Sequence, residues 1–186
     1  ISEIIDEIMA KPYKKAKLLD FKNPDKYIGP HIGCKKGYGT NEGIRANAAS
    51  GGMVTSLLCN LLKHGDIDGA WVTKTDFVNG ELSYKTYVAT TEEEIRDASS
   101  SVYMTIPLLK HIDVIKNFNG KVAVVMTPCM LRGLDAILKK DDALREKVVL
   151  KLGLYCSGTH SPKATTLSME KSGIPSEDAT RLYYRR

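Results

Sequence analysis

Thr127-Pro128-Cys129 and Tyr155-Cys156-Ser157-Gly158 are the residues best suited to chemistry in this 186-residue chain. Each cysteine follows a short, almost wholly apolar run, Lys121–Met126 in one case and Val148–Leu154 in the other. Such runs, rich in β-branched residues and bounded by turn residues, read as buried parallel strands. Two strands of one parallel sheet would carry both thiols at their carboxyl ends, the rim where open α/β sheets bind ligands. Thiolates there suit metal or redox chemistry. Burial as a small apolar side chain is the competing fate of any free cysteine, and the spacing alone leaves both open. No C-x-x-C or Cys/His cluster at zinc spacing occurs.

Ala48-Ala49-Ser50-Gly51-Gly52-Met53 places two glycines where a helix starts. Free N–H groups and the helix dipole suit a phosphate there. A tight turn with Ser50 as N-cap is the plainer alternative. No Gly-Lys-Ser/Thr follows, so this is not a Walker loop. Ser99-Ser100-Ser101-Val102-Tyr103 is a hydroxyl cluster able to meet phosphate or ribose, or to form a loop or cap. Cys59 falls on the apolar face of a helix and reads as core. Cys34 stays open. His31, His64, His111 and His160 share no metal-site spacing, although His160 lies four residues past Cys156.

The elements that must position these groups alternate. Met53, Leu57, Leu58, Leu61 and Leu62 mark a helix stopped by Gly65. Gly69–Thr73 and Leu82–Ala89 read as strands, and Thr91 with Glu94 forms a capping-box pattern. Pro107–Ile115 is amphipathic. Helices follow both cysteine strands, the second opening at Ser161-Pro162. His31–Tyr38 reads as a strand, Gly39–Ser50 as a polar loop, and Arg181–Arg186 as the beginning of another strand. The expected class is α/β, or α+β, with a mixed, largely parallel sheet flanked by helices. Residues 1–29 read as a helix and Lys-rich connector, and 30–186 as the main domain.

Composition is that of a globular protein, with 42% hydrophobic and 26% charged residues. No run reaches the ~20 apolar residues of a membrane span. Four unpatterned cysteines without a targeting segment point to reduced thiols and a cytoplasmic address. The net charge of +5 is concentrated early, among Lys11 to Lys26 with interleaved aromatics. No nucleic-acid fold signature accompanies it, so no nucleic-acid partner is expected.

In order along the chain, these pieces resemble the beta-subunit family of coenzyme F420 hydrogenases and dehydrogenases. The resemblance runs from Arg45 and Ala49-Ser50-Gly51-Gly52-Met53-Val54-Thr55 through Gly65-Asp66-Ile67-Asp68-Gly69-Ala70 and Ser101-Val102-Tyr103. It is strongest at Thr127–Leu134 and closes with Gly153–Pro162. Met130 stands where the family usually carries Gln. The resemblance implies a flavoprotein with FAD and a [4Fe-4S] cluster. Such a subunit passes electrons between coenzyme F420, or another two-electron carrier, and iron–sulfur partners. Those partners are redox subunits or ferredoxin-like proteins. It implies that Cys129 and Cys156 ligate the cluster, with the remaining thiolates supplied downstream of this chain, which would then be the amino-terminal part of a longer protein. Ser50, Gly51, Gly52, Ser101, Tyr103, Thr127 and Pro128 are the expected cofactor contacts. The alternative is a non-catalytic electron-transfer or scaffold subunit.

Overall fold

The structure, a computed structural model, describes residues 30–78, 80–175, 179 and 182–184. Two compact units divide between Lys36 and Gly37. In the first, the described residues 30–36 are irregular and exposed. The expected helix and Lys-rich connector of residues 1–29 lie outside the described residues. The second unit carries the fold.

Its elements are α1 (Glu42–Ala46), α2 (Met53–His64), β1 (Gly69–Val78), β2 (Glu81–Ala89) and α3 (Glu92–Asp97). A 3-10 turn (Leu108–His111), α4 (Asp113–Lys116), β3 (Val122–Met126), α5 (Pro128–Leu138), α6 (Asp142–Lys147), β4 (Val148–Gly153) and α7 (Pro162–Lys171) complete it. The sheet order is β2-β1-β3-β4. β1 and β2 form an antiparallel hairpin, whereas β1–β3 and β3–β4 are parallel. This is the mixed, mostly parallel α/β sheet expected from the sequence.

Side-chain alternation explains why the central strands are apolar on both faces. Trp71, Val122, Val124 and Met126 point into a cluster with Ile115, Leu134, Leu138 and Leu144. Ala70, Val72 and Ala123 point the other way, onto Leu58, Cys59, Ile67 and Ile95. Strands covered by helices on both sides must be hydrophobic at every position. The buried Trp71 indole donates to Thr86 Oγ1 at 2.6 Å, so its one polar atom is satisfied.

Local chemistry sets the element ends. Thr91 accepts from the Glu94 N–H while the Glu94 carboxylate reaches back to the Thr91 N–H, closing the capping box. Gly65 ends α2 at φ 73°. Ser161 caps α7 ahead of Pro162, accepting from the Lys163 N–H.

Four expectations are corrected. Ser50 does not cap α2; Gly52 takes that position at φ 69°. The chain bends there because the Gly39 N–H donates to Gly51 O at 2.6 Å and holds the turn against residues 37–39. The Gly39–Ser50 loop contains α1, capped by Asn41. His31–Tyr38 is not a strand, being glycine- and lysine-interrupted and without a ladder partner among the described residues. Leu182–Tyr184, the described part of the last expected strand, is irregular as well. There Tyr184 is fixed through its ring, edge-on to Tyr103 at 5.3 Å, and through a 2.9 Å hydrogen bond between its hydroxyl and that of Thr165.

Candidate functional site

The parallel ladder between β3 and β4 pairs Met126 with Gly153, and the Leu154 N–H continues it by donating to Met126 O at 2.9 Å. Cys129 lies three residues beyond Met126, and Cys156 three beyond Gly153. Both cysteines therefore leave adjacent strands at matching distances, on the same carboxyl rim. Both are exposed. Exposure removes the packing explanation that the sequence left open for them. Cys59, by contrast, is buried at 5% exposure, as its helical position predicts. Burial pushes its thiol pKa up, with nearby Glu92 adding to the effect.

Cys129 sits in the first turn of the eleven-residue α5, after Pro128 at the start of the helix. Proline suits that position because its missing N–H would be unpaired there anyway. Thr127 is the N-cap, but its side chain makes no capping bond. Instead its hydroxyl shares a 3.2 Å hydrogen bond with Cys129 Sγ. The unsatisfied N–H groups of the first turn thus remain available to an anion at the thiol. Cys156 Sγ donates weakly to Gly158 O at 3.6 Å. That contact needs the S–H proton and is forfeited when the sulfur ligates a metal.

The Ser101–Tyr103 segment comes to the same rim. The His160 N–H donates to Tyr103 O at 3.1 Å, Met104 and His160 form a parallel bridge, and the Thr105 and Thr159 hydroxyls meet at 3.1 Å. The Cys156 loop is thereby stitched to residues 103–105, fifty-four positions away in the case of the threonines. No local pattern in the sequence marks Thr105 or Thr159; only the pairing of the two loops reveals them. Ser99 is buried, and Ser100 adopts φ 142° with its Oγ buried and without a hydrogen-bond partner among the described residues. A non-glycine residue at such an angle stores strain of about 1–3 kcal/mol. Ser99, Ser100 and Val102 line a polar cleft with Thr73, Lys74 and Asp97.

The α2 start is a separate patch. Its first-turn N–H groups receive no side-chain cap. The α face of Gly51 is covered by this chain: a Cβ there would lie 3.2 Å from Tyr38 Cβ and 3.3 Å from Gly37 O. Tyr38 is in turn covered by the Arg45 guanidinium, 5.3 Å from the ring centre. Among the described residues, no hydrogen bond joins Ser50, Gly51 or Gly52 to the Cys129 or Cys156 loops. Met130 packs against the core as an apolar filler.

Among the described residues, no group of three or more His, Cys, Asp or Glu side chains is placed to hold a metal ion. The rim supplies two thiols. A four-thiolate cluster needs two further ligands, so the residues present fit half of such a site.

Comparison with known proteins shows what the chain as a whole resembles. Residues 34–113 match the family described as coenzyme F420 hydrogenase/dehydrogenase, beta subunit N-term, and residues 119–186 match the corresponding C terminus. An uncharacterised protein of Methanocaldococcus jannaschii is 33% identical over 135 residues, covering 69% of this chain and 37% of the relative. A chain in a xenon-derivatised structure of the F420-reducing [NiFe] hydrogenase complex from Methanosarcina barkeri superposes with a TM-score of 0.63 at 27% identity. That match covers 72% of this chain and 47% of the solved one. The chain thus spans less than half the length of either relative.

Proposed function

This chain belongs to the coenzyme F420 hydrogenase/dehydrogenase beta-subunit family, and on that premise we propose that it forms part of a flavin- and iron–sulfur-dependent oxidoreductase subunit. The subunit passes electrons between a two-electron carrier, coenzyme F420 or a relative of it, and iron–sulfur partners. The single observation that carries this reading is the registered placement of exposed Cys129 and Cys156 at one sheet rim.

Cys129 and Cys156 provide two of the thiolates of a [4Fe-4S] cluster, and the others come from polypeptide outside this chain. With Cys129 as thiolate, the Thr127 hydroxyl 3.2 Å away would be the donor to the sulfur, and the α5 dipole favours the anionic ligand set there. The FAD pyrophosphate is assigned to the α2 start, whose first-turn N–H groups receive no side-chain cap and would suit an anion. The orphaned Ser100 hydroxyl and the cleft beside it suit a ribose or phosphate, and Tyr103, next to Val102 of that cleft, accepts from the His160 N–H of the Cys156 loop. When bound, FAD supplies hydride acceptance and single-electron release. This chain's own part is to orient both groups on one sheet.

A second reading, a scaffold or pure electron-transfer subunit without substrate chemistry, is separated by experiment. An anaerobic visible spectrum of the full-length protein is predicted to show flavin and iron–sulfur absorbance, bleaching on addition of reduced coenzyme F420. Cofactor absorbance that ignores every two-electron donor supports the scaffold reading. A colourless protein rules out both cofactors.

A further inference from the structure

Ser100 is the one non-glycine residue with a positive φ among the described residues, at 142°. Its Oγ is buried and has no hydrogen-bond partner among them. A strained backbone and an orphaned hydroxyl both cost stability, and such a residue persists only where its neighbours over-determine it. Both flanks of Ser100 are held. On the amino side, the Ala98 and Ser99 N–H groups donate to Glu94 O and Arg96 O at the end of α3, at 3.2 and 3.0 Å. The Lys74 ammonium ties that end to β1 by donating to Asp97 at 2.6 Å. On the carboxyl side, Met104 and Ile106 are buried in the core. Tyr103 O accepts the His160 N–H, and the Thr105 and Thr159 hydroxyls meet. Only Ser100, Ser101 and Val102 lie between the two anchors. The strain collects in that short span, and Ser100 and Val102 also line the polar cleft.

We infer that residues 99–105 form a two-position strap coupling the polar cleft to the Cys156 loop. In the observed position the strap is stitched to Thr159 and His160, and Ser100 is strained with its hydroxyl unpaired. In the other, Ser100 relaxes to negative φ, its hydroxyl turns into the cleft, and the Tyr103–His160 hydrogen bond opens. Strain narrows the free-energy gap between the two positions. A group in the cleft that pairs with the hydroxyl therefore favours release. The coupling is reciprocal, so a Cys156 loop fixed by metal ligation favours the stitched position. That last link rests on the reading of Cys156 as a cluster ligand; the strap itself does not.

The test is amide hydrogen exchange in the full-length protein, resolved to single residues and read at His160. The Leu154 amide is the internal control, because it lies at the base of the same loop but is held by Met126 O rather than by the strap. Ser100→Gly removes both costs, since glycine accepts a positive φ and carries no hydroxyl. It is predicted to slow exchange at His160 about tenfold or more while Leu154 stays within about twofold. Ser100→Ala removes the hydroxyl alone and falls between Ser100→Gly and the parent. Ser100→Val, β-branched at that φ, is predicted to speed exchange at His160 about tenfold. A melting curve checks that each variant is folded, and if Ser100→Val is not, the glycine and alanine variants decide. Exchange at His160 unmoved by Ser100→Gly overturns the inference, because the strain is then local to Ser100. An equal change at His160 and Leu154 overturns it as well, because the effect is then one of global stability. Iron and flavin content of the same samples are assayed separately. An absence of cofactors defeats the functional reading, while the exchange series alone decides the strap.

Discussion

The Leu154 N–H donates to the Met126 carbonyl at 2.9 Å, one step past the Met126–Gly153 pair that ends the β3–β4 ladder. This bond holds the two strand exits together just where the chain departs toward Cys129 and Cys156. Parallel neighbours lie about 4.8 Å apart, so the loops carrying the two thiols start side by side.

Thiol reactivity should divide the cysteines sharply. In cofactor-free protein, Cys34, Cys129 and Cys156 are exposed and Cys59 is buried with its thiol pKa raised, chiefly by burial. Titration with a chromogenic disulfide reagent is expected to modify three thiols promptly and the fourth only on unfolding. Prompt reaction of Cys59, located by peptide mapping, would contradict the packing of α2 on the sheet.

The capping box at Thr91 and Glu94 makes stability depend on acid pH. Hydrogen bonds led by the Thr90 N–H, with the Thr91 N–H also donating, hold the Glu94 carboxyl below its ordinary pKa. A depressed folded pKa stabilises above the unfolded value of about 4.3. That contribution fades as pH falls through the lower folded pKa. Glu94→Gln should therefore lower Tm at pH 7 and converge with the parent as pH falls below the folded pKa of Glu94. Thr91→Ala should cost about 1 kcal/mol, or about 2–4 °C, with little pH dependence. Parallel Tm–pH curves for Glu94→Gln and the parent would refute the electrostatic part.

Gly52 and Gly51 test the α2 start in two ways. Gly52 at φ 69° tolerates a side chain poorly, and an added Cβ would lie 3.2 Å from an Ile44 methyl. Gly52→Ala should cost about 1–2 kcal/mol from the left-handed backbone alone. Gly51→Asp places a negative charge near uncapped N–H groups, so under the proposed placement of a flavin phosphate there it should lose more flavin than Gly51→Ala, which shares its steric cost. Equal flavin content in the two Gly51 variants would remove the phosphate from this helix start.

Much of this architecture was legible in the residues. An apolar run marked β3 and a run interrupted only by Lys151 marked β4, the Thr91 and Ser161 caps were placed by type and spacing, and Gly65 ended α2 as expected. What escaped was set by contacts remote in sequence. Ser50 looked like a cap, but Gly39 pulls the turn over and passes the cap position to Gly52. His31–Tyr38 looked extended enough for a strand, yet a strand requires a neighbour and none of the described strands pairs with it. Tyr184 appeared to begin a strand, whereas Tyr103 and Thr165 hold it by its ring and hydroxyl. At the site, the two thiols were visible from their strands. The loop pairing through Thr105 and Thr159 was not, because a hydrogen bond across fifty-four residues leaves no local pattern.

The most direct measurement is iron per chain in anaerobically purified full-length protein, compared among the parent, Cys129→Ala, Cys156→Ala and Cys34→Ala. The account predicts about four iron atoms in the parent and in Cys34→Ala, the content of one cubane cluster, and a labile or absent cluster in Cys129→Ala and Cys156→Ala alike. Undiminished iron in both of those variants would contradict it, since the two registered thiols would then hold no part of the cluster.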